Sequence, residues 1–477
     1  MTFPTVTPVS VPPYRVDRNA PPLADGPRGR GVTSRFPRSD RVDVATFTGM
    51  HDGHNHSLGP GYSPTQIADF ASPLREGVRR QMALLDAAGV DRILWMPIPT
   101  NIEGGPHTHC CGQAPGVGRT YYMPDRFRDG LQPLTPADLD MLYRVGQYYD
   151  TAVDWQVAKA WTELPAGVRK RLLPAVTGVN LNDPNSIHAV MRLKKEYPGV
   201  FHWLGEITVF KGVVQQQNRS YQPSLAADAA LHPLLDFAGR AGLGVTLHCD
   251  INDEARCLRT GRRGRSEHLA GICGLFAAHP GTAIVWAHLG GLGRFAPPSR
   301  HHVSDLRAVL KAFPHVSIDM SWSDVAAWFS PHPKPGAHLS QAQRDAFDPV
   351  RDRRHRHDRI QRLAALIEEF PDRFVMGSDA LVSHKPESIS GSYGIYSNLG
   401  QGPGTAARGG QRVALFDYLS PDTQVKVLRT NFERLYRQAE TASLRYEASG
   451  LQRDMGAIHR QTLQRNRTPN RWPGDPV

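Results

Sequence analysis

Short apolar runs alternate along this chain with longer stretches whose apolar residues recur at helical spacing. The first run, Val44 to Phe47, leads into Met50-His51-Asp52-Gly53-His54-Asn55-His56, read as a strand. Arg75 to Ala88 then places Val78, Met82 and Leu85 on one helical face, with Gly89 as its stop. Val90 to Pro99, centred on Ile93-Leu94-Trp95-Met96, is the second expected strand. After a long break the rhythm resumes with a buried strand from Leu172 to Val179, a helix from Pro184 to Tyr197 and a strand from Trp203 to Phe210. A helix near Leu231 to Gly239 precedes a strand from Gly244 to His248. Leu269, Ile272, Leu275 and Phe276 line the next helix, before a strand from Ala283 to Ala287. Val303, Leu306, Leu310 and Phe313 line another, before a strand from His315 to Met320. Ile360, Leu363, Ile367 and Phe370 mark a helix ahead of the strand Arg373 to Met376, and a last helix is expected near Thr423 to Tyr436.

This alternation predicts an α/β fold, a (β/α)8 TIM barrel with insertions in its βα loops. The competing architecture, a doubly wound open sheet, would usually carry a glycine-rich phosphate loop after its first strand, and this chain has none there. Two segments interrupt the rhythm. Residues 100–170 open on Gly104-Gly105-Pro106 and hold helices expected near Pro136 to Tyr149 and Ala152 to Glu163; residues 321–357 are polar and proline-rich. Both follow strands, so in a barrel both emerge at the catalytic face. The barrel is expected over residues 44–440, preceded by a flexible Pro/Arg-rich arm (1–43) and followed by a basic tail (441–477).

Composition narrows the class. No apolar run is long enough to cross a bilayer, and the arm lacks the apolar block of a signal peptide. Five cysteines, an odd count, make no disulfide framework, so a reducing cytoplasm is the expected compartment. The net charge of +11 raises nucleic acid as a partner. Yet the clusters Arg28 to Arg41, Arg262 to Arg265, Arg351 to Arg359 and Arg460 to Arg471 are not interleaved with stacking aromatics. A small-molecule substrate is expected, with no nucleic-acid or membrane partner, and a homo-oligomer stays open.

The candidate chemistry sits where strands end. Alternation on a strand puts Asp52, His54 and His56 on one face, and His51 and Asn55 on the other. Two imidazoles above a carboxylate can grip a divalent ion. A lone His-x-His arises by chance in surface loops, so it needs company. Glu206 on the fourth strand, His248 on the fifth, His288 after the sixth and Asp379 after the eighth supply it. Singly, His248 or His288 reads as an ordinary core or surface histidine. In a barrel the same strand ends converge on one bowl, and the set predicts a metal centre.

Asp52-x-His54-x-His56, the strand-final His248, Ala287-His288-Leu289-Gly290-Gly291 and Gly377-Ser378-Asp379 resemble the amidohydrolase superfamily, in its amidohydrolase-related branch; Asn431-Phe432-Glu433-Arg434-Leu435-Tyr436 is similar to that branch's closing helix. The resemblance implies a metal-dependent hydrolase, or in some members a non-oxidative decarboxylase, on a TIM barrel. It implies His54, His56, His248 and Asp379 as ligands of a divalent ion such as Zn2+, and His288 as a further ligand or an acid–base and polarising residue. Asp379 is expected to serve also as the general base. Many binuclear relatives bridge two ions with a carboxylated lysine on the fourth strand, where this chain has Glu206. Glu206 could bridge two ions unaided or anchor the ligands of one. Candidate substrate contacts are Lys211, beyond Glu206, and His107 and His109 in the first insertion. With Cys110 and Cys111, the last two could instead hold a structural zinc, although adjacent cysteines chelate awkwardly. Hydrolysis of a C–N or C–O bond is the expected activity, against decarboxylation of an aromatic or enol acid, or a catalytically silent barrel that binds a partner.

Overall fold

Eight parallel strands carry the architecture in the computed structural model. They are β1 (Met50–Asn55), β2 (Val90–Trp95), β3 (Leu172–Pro174), β4 (Trp203–Phe210), β5 (Gly244–Cys249), β6 (Ile284–Trp286), β7 (Val316–Asp319) and β8 (Phe374–Val375). Residues described are 49–56, 78, 81–97, 152–179, 181, 186–210, 225, 231–253, 256–257, 264–293, 298–329, 349–380, 392–393, 396 and 414–457, plus the backbone of four short strands between 100 and 120. The ladders form a sheet of three strands, β1-β2-β3, and one of five, β8-β7-β6-β5-β4. Isolated bridges span the two seams, Val176 to Leu204 and Asn55 to Ala380. Thus the strands follow one another in barrel order around the ring.

Alternation along β5, β6 and β7 separates two layers. Val245, Leu247 and Cys249 of β5, Ile284 and Trp286 of β6, and Val316 and Ile318 of β7 face the helices, where they share one large apolar core. The helices packed there are α1 (Ala152–Thr162), α2 (Ser186–Glu196), α3 (Leu231–Ala241), α4 (Leu269–Ala278), α5 (His302–Ala312), α6 (Pro349–Glu369) and α7 (Asn431–Ser449). Leu94, Leu173, Trp203, Val285 and Val375, from five strands, meet instead in a second cluster with Phe432 and Tyr436 of α7. Trp203 stacks on Tyr436 with their planes 13° apart. The barrel floor is therefore an apolar plug supplied by the closing helix, and polar inward residues are left to the layer above it.

Most of the expected elements occur, with shifted ends. The helix expected from Ile360 begins at Pro349, so the Arg351 to Arg359 cluster lies on α6. The second insertion also opens on structure, a turn of helix at Ser323–Ala326 and a 3-10 turn at Ala327–Phe329 that buries Phe329. The closing helix continues through Ser449, beyond residue 440. There Lys194 of α2 donates to Phe201 O at 2.8 Å, Ser443 Oγ at 2.6 Å and Glu447 Oε1 at 2.6 Å. In the first insertion, Thr100–Gly104 pairs with Gly118–Thr120, and His107–His109 with Gly112–Ala114, both antiparallel. The helix expected near Pro136 to Tyr149, Lys211, the arm and residues 458–477 lie outside the described residues.

Candidate metal centre

Two local departures from regular strand geometry aim the central side chains. On β4, Leu204 and Ile207 are three apart yet both join the helix-side core, and the ladder to β5 shifts register between them. The extra residue turns Glu206 inward, although Trp203, three positions earlier, also faces in. Gly205 makes this possible: its φ is 128°, and a Cβ there would meet the Thr246 backbone. After β6, His288, Leu289, Gly290 and Gly291 all take left-handed conformations, with φ of 57°, 50°, 72° and 72°. This turn carries His288 over the mouth. Asp379, after β8, is left-handed as well, at φ 54°. Non-glycine residues in this region cost about 1–2 kcal/mol each, and such strain gathers at functional sites.

The six predicted side chains converge. His54 Nε2 lies 3.1 Å from His56 Nε2, and Asp379 Oδ1 lies 3.6 and 3.3 Å from these two atoms. On the other side His248 Nδ1 is 2.5 Å from Glu206 Oε1, and His288 Nε2 is 3.0 Å from both. Glu206 reaches the first pair too, Oε1 at 3.7 Å from His54 Nε2 and Oε2 at 3.6 Å from His56 Nε2. Three triads keep their donor atoms within 4.8 Å of one another among the described residues, and besides His54-His288-Asp319 they are His54-His56-Glu206 and Glu206-His248-His288, the two that take in a carboxylate facing the centre. Glu206 belongs to both of these.

Each imidazole is tied by its outer nitrogen. His54 Nδ1 donates to Asp319 Oδ2 at 2.8 Å, and His56 Nδ1 to the Met96 carbonyl at 2.7 Å. His248 Nε2 donates to Asp250 Oδ1 at 3.0 Å. Ser321 Oγ gives its proton to Asp319 Oδ1, and therefore accepts from His288 Nδ1 at 2.8 Å. With those protons placed, the nitrogens that face the centre present lone pairs. Lone pairs 3.0–3.1 Å apart repel unless a cation or a proton lies between them. The donor set, imidazole nitrogens and carboxylate oxygens, fits a zinc-like divalent ion.

Electrostatics point the same way. Burial alone would lower the His54 pKa, but Asp319, Glu206 and Asp379 drive it up to about 9. Burial holds His288 below its ordinary value, helped by His248 beside it. Burial would raise Asp379, yet in the metal-free centre a protonated His56 beside it and the neighbouring His288 and His54 pull it well below the usual carboxylate range. A buried pocket this rich in carboxylate demands positive charge.

Further side chains frame the centre. Asn55 donates to Asp52 Oδ2 at 2.9 Å, so it does not turn to the opposite face; the β1 register is irregular between Asp52 and Asn55. Asp52 sits below the imidazoles, where Ser378 N at 2.8 Å and Ser378 Oγ at 2.6 Å tie it to β8. Trp322 is half-buried with its ring 5.0 Å from His288, whereas Trp286 is core and donates to Cys249 O. His107 and His109 are described by backbone alone. Asp319 went unnamed in the sequence. Its signal was available: Ser317, Asp319 and Ser321 are the polar positions that alternate with Val316, Ile318 and Met320.

Comparison with known proteins adds the lineage. No curated protein matches the sequence. Among solved structures, an amidohydrolase from Burkholderia multivorans with bound HEPES is 13% identical, over 82% of this chain and 99% of its own, with a TM-score of 0.38. The same description from that organism with bound zinc gives 14%, 82%, 99% and 0.33. A dihydroxybenzoic acid decarboxylase from a Polaromonas species, with manganese and 2-nitroresorcinol, gives 12%, 82%, 97% and 0.37. Overlaps this loose carry no argument about chemistry. The family model described as amidohydrolase matches residues 121–438, from beyond β2 into α7. The His-x-His strand precedes that match, and the fold returns it to the same bowl. The chain belongs to the metal-dependent amidohydrolase family.

Proposed function

We propose that this protein hydrolyses a C–N or C–O bond of a small molecule, an amide, ester or lactone, using one or two divalent ions, with zinc the first candidate. His54, His56, His248, Asp379 and Glu206 would hold the metal. His288 would join them, since its Nδ1 proton is spent on Ser321 and its Nε2 offers a lone pair rather than a donor. The observation that carries this reading is Glu206 as the shared vertex of two donor triads. A carboxylate so placed suits a pair of ions, and a pair suits hydrolysis, because bound ions polarise a carbonyl and acidify a water.

The remaining work falls to Asp379. Its side chain is 9% exposed, against 0–3% for His54, His56, Glu206, His248 and His288. It is the member of the set that borders the bowl, and its low pKa keeps it ionised, with a free lone pair, at neutral pH. Asp379 would take the proton of the attacking water and pass it to the leaving nitrogen or oxygen. Asp379→Asn should therefore lower kcat on the order of a hundredfold or more while elemental analysis still finds metal. Near-normal turnover would move the base elsewhere.

Glu206→Gln tests the bridge when metal is counted in both proteins. A fall from two ions per chain to one or none supports it. One ion in each, with no turnover across an amide, ester and lactone screen, transfers the assignment to decarboxylation of an aromatic or enol acid.

A further inference from the structure

Above the metal-binding layer, the inward face of β4 and β5 carries polar atoms that no described residue engages. Thr208 follows Glu206 by two positions and pairs in register with His248, so it shares their inward face. Asp250 follows His248 by two positions and is held beside Phe210 by its backbone, N to O at 2.9 Å. Its side chain is inward as well, since Oδ1 takes the His248 Nε2 proton. Yet Thr208 Oγ1 and Asp250 Oδ2 are both buried without a hydrogen-bond partner among the described residues. Asn252, two residues on, fixes its Oδ1 on Ser266 N and leaves Nδ2 in the same condition. Thr208 as a residue is only half-buried, so this wall borders the bowl.

Orphaned buried polar atoms are costly, about 1–3 kcal/mol each, and natural proteins keep few of them. A carboxylate oxygen accepts only, and a threonine hydroxyl can accept and donate. We propose that Thr208 and Asp250 form a specificity subsite beside the metal centre, one that takes a hydrogen-bond-donating substituent of the substrate, a hydroxyl or an ammonium. The proposal rests on the hydrolase reading above and adds to it the class of substrate: a carbonyl compound with such a donor near the attacked carbon. Asp250 would then hold His248 with one oxygen and the substrate with the other. Metal geometry and substrate choice would meet in a single side chain.

Two substitutions separate this subsite from a structural role. Thr208→Val keeps the shape and deletes the hydroxyl. Asp250→Asn keeps an oxygen for His248 and replaces the orphaned acceptor with a donor. The first measurement needs no metal: thermal unfolding of the ligand-free Thr208→Val protein. No bond is lost if the hydroxyl is idle, so the midpoint should hold or rise, and a clear fall overturns the proposal by revealing a structural partner. The second measurement is calorimetric binding of butyrate, the hydroxybutyrates and the aminobutyrates to zinc-loaded protein. Chelation of the metal by a substituent survives Thr208→Val, and survives Asp250→Asn in protein whose full zinc content is confirmed before titration, whereas recognition by the subsite does not. The parent's preference for the best substituted acid over butyrate should shrink about tenfold in each variant, the scale of one hydrogen bond. A hydroxy or an amino preference names the donor. A parent with no such preference, or variants that retain it in full, overturns the subsite. Failure of the metal reading would show separately, as zinc that does not bind, and the unfolding measurement would still decide for or against an idle hydroxyl.

Discussion

Asp319, fully buried, shows how much of a site can depend on a residue that holds the others in place. One oxygen fixes the His54 tautomer; the other receives His288 N, Ser321 N and Ser321 Oγ, at 2.8, 3.0 and 2.6 Å. Burial would raise its pKa, but the charge and hydrogen bond of His54 hold it below the ordinary value. Asp319→Asn would put a donor or a weaker acceptor against the His54 Nδ1 proton. Metal affinity should fall by roughly 10–100-fold, measured by competition with a chromophoric chelator. Unchanged affinity would mean that packing alone orients His54. The six residues found from sequence share a signal, chemistry at the ends of apolar strands, and the expected barrel, with the family resemblance, was what collected them. Their anchors carry a weaker one. Ser321, Ser378 and Asp250 are common residues in ordinary positions, and only the register of neighbouring strands reveals what they hold.

Among the elements, a short apolar run marks or precedes every barrel strand, because each strand contributes to a buried core. What such runs could not reveal are the places where alternation breaks. The shift at Gly205-Glu206 and the left-handed run His288 to Gly291 are backbone features, and a glycine pair in sequence fits many conformations. The second is testable against an ordinary glycine. At Gly291 a Cβ would meet the Cys249 carbonyl and Ile251 N, with φ at 72°. Gly291→Ala should cost about 2–5 kcal/mol, the sum of left-handed strain and overpacking. At Gly274, inside α4, an added methyl would meet nothing within 4 Å among the described residues. There alanine should add about 0.4–1 kcal/mol by restricting the unfolded chain. Denaturant midpoints of the two variants should move in opposite directions. A Gly291→Ala protein as stable as its parent would show that the turn can relax.

At the scale of the whole molecule, the same burial that builds the centre makes folding sensitive to acid. His51, His202 and His302 are each less than 3% exposed. Burial, with Arg92 acting on His51 and Lys194 on His202, lowers all three to about 4. Their unfolded value is near 6.5, so between about pH 6.5 and 4 the unfolded chain binds protons that the folded chain refuses. Depressed groups of this kind contribute stability that is complete above 6.5 and is lost as pH falls towards 4. The slope is about 1.4 kcal/mol per pH unit for each histidine. His54 has the opposite sign in metal-free protein. Raised to about 9, it contributes fully below 6.5 and loses that contribution as pH climbs through 9. It is therefore constant across the acid window, and metal-free protein is the proper sample. Asp319 and Asp379, both depressed, act only at lower pH, below the ordinary aspartate value of 3.8. His302 isolates one term, because its Nε2 donates to Leu289 O at 2.8 Å, inside the left-handed turn, and a glutamine can keep a donor there. Urea unfolding of His302→Gln at a series of pH values should show the acid slope reduced by about one proton while stability near neutrality changes little. A slope identical to the parent's would mean that His302 takes its proton without unfolding, through local opening of the turn that carries His288.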